Sequence, residues 1–147
     1  MATDKAISTL NELIETCRNG EEGFREAAEN VKDGELAGLF AQYADQRARF
    51  AGELESEVLR LGAEPETSGT LPGAAHRAWI ELRSAVQGGD RKAILAEVER
   101  GEDVAKDKYE SAIREALPGD AKQIIDRQYT DVRAAHDQIR SMRDAAR

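Results

Sequence analysis

Two glutamates fall where a bundle helix should present hydrocarbon. Glu21 sits in the middle of a first periodic segment and Glu102 near the middle of a later one, each in step with apolar neighbours three and four residues away. A carboxylate carried inward without a partner is strongly destabilising, so each of these needs a cation or a proton. Two chemistries meet that need. In one, the acids are metal ligands: Glu21, Glu99 or Glu102, and His136 offer oxygen and nitrogen donors to an ion such as iron or manganese, with solvent completing the shell. In the other, guanidinium groups from neighbouring helices neutralise the acids and no cofactor is needed.

The spacing of the remaining polar residues decides which reading is preferred. Bundles that hold two metal ions take one Glu from each of two helices and a Glu-x-x-His pair from each of the others, because residues i and i+3 share a helix face. Here the corresponding stretches read Gln46-Arg47-Ala48-Arg49 and Arg133-Ala134-Ala135-His136. The second keeps its histidine, but an arginine stands in place of the carboxylate, and arginine is a permanent cation that cannot ligate a metal. The preferred reading is therefore an ion-paired layer. In it Glu21 and Glu102, with Glu99 or Glu97 as near alternatives, pair with Arg47, Arg49 or Arg133, while Tyr43, Tyr109 and Gln128 add hydrogen bonds.

Other residues carry less chemistry. His76 opens a short segment and reads as an exposed polar residue; Trp79 in the same segment reads as a packing anchor, with a crevice beneath it as a third place for a small molecule of unspecified kind. Cys17 is the single cysteine and lies on an apolar helix face, which suits a small core residue in a reducing, cytoplasmic compartment. Acids number 29 against 21 Lys plus Arg, a net charge of -8 that repels phosphate backbones and argues against nucleic acid. Arg133, Arg140, Arg143 and Arg147 gather near the end, where cations complement a helix C-terminus. No apolar run approaches the roughly 20 residues of a membrane span, and the N-terminus carries no signal-like run.

The elements that must position these residues are helices. Pro65, Pro72 and Pro118 all fall between periodic segments, β-branched runs are absent, and Ala, Glu, Arg and Leu dominate. The spacing predicts an all-α chain forming one domain over 1–147, with long helices at about 4–31, 34–61, 90–117 and 120–144 and a short one at about 74–87. Thr3 or Asp4 caps the first; Gly62 ends the second; Gly88-Gly89 ends the short helix; Asp120 with Gln123 makes a capping box for the last. The break at Asp33-Gly34-Glu35 is short enough to force an antiparallel hairpin. The connector from Ala63 to Gly73, about 11 residues and so about 35 Å when extended, reaches across most of a bundle. The result is an antiparallel four-helix bundle of two hairpins joined by a long crossover that contains the short helix.

The runs LNELIETCRNGEEGF, QRARFAGELE, HRAWIELRSAVQGGD, AILAEVERGED and AAHDQIRSMRD, taken in order, resemble a bacterial family of ferritin-like proteins of unknown function, over about Asp4 to Asp144. The resemblance implies a ferritin-like four-helix domain, a bacterial cytosolic setting and an association with stress, and it carries no established substrate. Measured against the wider metal-binding ferritin-like superfamily, Glu21, Glu99 or Glu102, and His136 are retained, whereas Gln46, Arg49 and Arg133 depart from the ligand pattern. The expectation is a non-catalytic bundle that self-associates as a dimer or docks to a partner; the alternative is a metal-binding protein or oxidase using Glu21, Glu99 or Glu102, and His136.

Overall fold

The computed structural model describes residues 2–65 and 73–146, with side chains for 3–65 and 80–146. Among these residues all regular structure is helical: α1 (Ala2–Asn30), α2 (Gly34–Arg60), α3 (Gly73–Gly88), α4 (Arg91–Ile113) and α5 (Gly119–Ala145). Trp79 and His76, expected as anchor and exposed polar group, and most of the crossover lie outside the described side chains.

Helices α1 and α2 pack on each other along their length, as do α4 and α5, and each hairpin touches itself more extensively than it touches the other. Ion pairs fix the directions. Lys5 meets Glu115 at 2.8 Å and Lys108 meets Glu12 at 2.6 Å, so α1 runs antiparallel to α4. Arg127 meets Glu53 at 2.6 Å and Arg60 meets Asp120 at 3.5 Å, so α2 runs antiparallel to α5. It follows that α2 and α4 are parallel and face one another across the bundle. Helix α3 lies against α1 and α4, with Leu82, Ala85 and Val86 on the core and Arg83 and Glu81 paired outward with Glu26 and Arg100.

The core comes in two apolar halves. One holds Leu10, Leu13, Ile14, Phe50, Leu54, Val58, Ile125 and Val132; the other holds Phe24, Leu36, Phe40, Ile94, Leu95, Val98 and Ile139. On α2 the break between them falls at Arg47, and on α4 at Glu102. Both residues are as buried as the hydrocarbon on either side.

Helix ends follow local rules, with three departures from expectation. Helix α1 is already formed at Ala2, which puts Thr3 and Asp4 inside it rather than at its cap. Helix α4 stops at Ile113 instead of 117, because Pro118 disfavours helical backbone at the residue before it and the chain unwinds through tight turns such as Glu115 N–H to the Ala112 carbonyl (3.1 Å). The capping box at Asp120 and Gln123 does not form. Pro118, extended at φ -56° and ψ 151°, is itself the cap, so α5 starts at Gly119 and Asp120 falls in its first turn, where its charge complements the helix dipole. Gly62 (φ +88°) and Gly89 (φ +74°) end α2 and α3 in the left-handed region open to glycine.

Asp33 both caps α2 and ties the two hairpins. Its carboxylate accepts from Leu36 N–H at 3.1 Å and pairs with Arg91, which also reaches Glu35. The Leu36 N–H first, then Arg91, hold its carboxyl below the ordinary value of 3.8. A depressed acid stabilises the fold fully above its unfolded value and loses that contribution as pH falls through the folded one. Asp33→Ala should therefore cost about 1 kcal/mol, within the range for lost caps. In urea melts the gap to the parent should hold at neutral pH and close as pH falls below 3.8. A gap unchanged at low pH would mean the carboxylate is not the source.

Candidate functional site

Arg47 and Glu102 meet in the middle of the bundle. Nη1 and Nη2 donate to the two Glu102 oxygens at 2.8 and 2.6 Å, a two-pronged pair between side chains that are 1% and 3% exposed. That fork satisfies both charges and adds directionality that a lysine would lack. Three further features seat the guanidinium. Its Nε donates to Gln46 Oε1 at 3.3 Å. Its carbon lies 5.5 Å from the centre of the Phe24 ring, within cation–π range. And it passes Gly20 of α1, where an added Cβ would sit 3.5 Å from Nη1, in ordinary van der Waals contact.

A hydrogen-bonded chain extends this layer toward one end. The Tyr109 hydroxyl donates to Gln128 Oε1 at 2.7 Å, so the Cys17 thiol, 3.1 Å away, is the donor to Tyr109. Gln128 Nε2 then donates to the Phe50 carbonyl at 3.3 Å and to Glu53 at 3.1 Å. Burial pushes the Cys17 thiol up to about 11, against the lowering effect of Tyr109 and Arg47, and burial likewise raises Tyr109. Cys17 is thus a neutral structural thiol, as its place on an apolar face suggested. Tyr43 closes the other side, hydrogen-bonded to Gln138, with its own hydroxyl raised to about 12 by burial and by Glu102.

Not every predicted partner joins. Glu21 is not in the layer. It turns to the bundle's flank, where Arg18 (2.8 Å) and Arg25 (3.4 Å) bind it, while Gly20 of the same turn lies against Arg47. Arg49 is exposed, two residues from Arg47 and hence on the opposite side of α2, and Arg133 is exposed beside the buried Val132.

A second cluster lies between α4 and α5. Glu99 and His136 come together there with Asp103, their ligand-capable atoms all within 4.8 Å of one another. His136 is 5% exposed at the side chain; Nε2 lies 2.6 Å from Asp103 and Nδ1 3.1 Å from Asp137. Burial pulls its pKa down, but the bonds to Asp137 and Asp103 outweigh this and raise it above 6.5. Arg143 pairs with Glu99. Of the four residues proposed as metal ligands, the structure thus groups Glu99 and His136, and puts Glu102 with Arg47 and Glu21 with Arg18. Asp103 was missed. Its signal was available, since it stands four residues after Glu99 and so on the same face. The crevice expected under Trp79 lies outside the described side chains; among the described residues a hollow lies between α1 and α3, lined by Ala27, Leu82 and Val86 with a charged rim.

Fold and site together define an all-helical bundle protein whose core is crossed by an ion-paired polar layer. The chain belongs to a family described as a domain of unknown function (DUF2383), whose model matches residues 5–115. That span carries Arg47, Glu99, Glu102 and Tyr109 and ends before α5, which supplies Gln128 and His136. No curated protein matches the chain significantly in sequence. No helix among the described residues is long and apolar enough to cross a membrane.

Proposed function

We propose that this protein is a non-catalytic bundle of ferritin-like topology in which an arginine–glutamate pair stands where metal-binding relatives hold two ions. The observation that carries the reading is the fork of Arg47 onto both oxygens of Glu102 at full burial. A permanent cation already neutralises the one acid at the centre, and Glu21 is engaged by Arg18 and Arg25, so the inward carboxylates a dinuclear centre requires are not free there. The topology is supported by the parallel course of α2 and α4, which calls for a connection running the length of the bundle. The bacterial cytoplasmic setting and the stress association belong to the same reading and rest on the resemblance of the sequence runs, and self-association as a homodimer completes it.

The test is oxygen uptake on adding ferrous iron to the anaerobic protein. The expected rate equals that of iron in buffer. Saturable oxygen consumption at two irons per chain would overturn the proposal. Light scattering at micromolar concentration tests the dimer separately.

A further inference from the structure

From the cluster between α4 and α5, we infer that Glu99, Asp103 and His136 form a site for one divalent first-row transition ion, apart from the central layer. The donor set is two carboxylates and one imidazole, the mixed oxygen–nitrogen chemistry suited to Zn2+, Mn2+ or Fe2+. Two donors come from one helix at i and i+4 and the third from its neighbour, so the site is anchored on two rigid elements.

The donors approach binding distance. With bonds of about 2.1 Å, donors lie about 3.4 Å apart in a tetrahedral site and up to about 4.2 Å apart across an octahedral one. The donor atoms lie within 4.8 Å of one another, so the widest pair has to close by up to about 1.4 Å. Asp103, 56% exposed at its side chain, has the freedom to supply that movement, and its exposure gives an ion a way in.

Burial adds to the clustering. Glu99 is nine-tenths buried at its side chain, and its Oε1 is met by the Arg143 guanidinium as an ion pair, without a hydrogen bond of good geometry. An ion bound there would replace that arginine as the counter-charge of the carboxylate. The third feature is Asp137, placed to accept a hydrogen bond from Nδ1–H of His136, which leaves Nε2 facing Asp103 and the cluster. A carboxylate behind a ligating histidine is the usual way proteins fix the ring and raise its basicity.

Positive charge opposes the ion. Arg143 occupies the Glu99 side of the cluster and Lys106 acts on His136. This opposition makes the site testable in both directions. Zinc chloride titrated calorimetrically into chelator-treated full-length protein should bind one ion per chain. Asp103→Asn, at an exposed position, should weaken binding by about tenfold or more, and His136→Gln similarly; Asp137→Asn should fall at the lower end of the roughly 10- to 100-fold range for residues behind a ligand. Arg143→Gln should tighten binding, because it removes the competing cation from Glu99. Zinc uptake unaffected by Asp103→Asn and Arg143→Gln would place the ion on surface acids and overturn the inference, as would no saturable uptake by the parent protein. Uptake abolished by Glu102→Gln but kept in Asp103→Asn would overturn both this site and the ion-paired reading of the centre. Loss in the Asp103 and His136 variants, with no oxygen consumption on iron, upholds both.

Discussion

Arg47→Met lowers the stability of the bundle by about 3–5 kcal/mol, the cost of leaving one partner of a buried ion pair without its counter-charge. Methionine fills the space of the arginine stem, so the loss is mainly that of Glu102, which keeps its burial and loses both of its donors. The carboxylate then has to take up a proton or draw in water. The double variant Arg47→Met/Glu102→Leu should recover most or all of the loss, because well-packed hydrocarbon commonly equals or exceeds a buried pair in stability. Urea unfolding followed by circular dichroism measures all three proteins. If the single variant loses less than about 1 kcal/mol, Glu102 reaches solvent easily and the layer is not sealed.

Phe24→Ala carries the second large loss, also about 3–5 kcal/mol, as for other buried phenylalanines cut to alanine. The ring holds the apolar half of the core together at the point where it meets the charged layer. Its centre is 5.9 Å from Phe40 and 5.4 Å from Tyr43, both tilted, with the Arg47 guanidinium over its face. Phe24→Leu separates bulk from ring chemistry. It keeps most of the hydrocarbon and removes the aromatic pairs and the cation contact, each worth about 0.5–2 kcal/mol. An intermediate cost is expected from the same urea melts. A leucine variant as unstable as the alanine one would show that the shape of the ring, not its volume, holds that end.

The helices were legible because apolar residues return every three or four positions and the prolines and paired glycines fall only between those runs. Ends were less so: Pro118 was seen as a breaker but not as the cap of α5, and its grip on Leu117 shortened α4. Within the site, Arg47 and Glu102 were legible as polar residues in otherwise apolar seams. Glu21 looked equivalent by spacing, but Arg18 and Arg25, one turn away on either side of it, hold its carboxylate on the flank. The flank cluster was half legible. His136 and Glu99 stand out in the sequence, whereas Asp103 stands four residues from Glu99, a spacing that the Glu-x-x-His pattern does not contain. The pairing of His136 with Asp103 depends on how α4 and α5 align, which no single helix reveals.

The two hairpins could in principle slide past each other, since hydrocarbon tolerates many alignments nearly as well as one. A slip by a single turn shifts a side chain by about 5.4 Å, enough to strand both the guanidinium and its carboxylate against methyl groups. Their meeting point therefore works as a vernier mark: it penalises every misaligned assembly far more than it rewards the correct one, and leaves the halves a single setting in which to close.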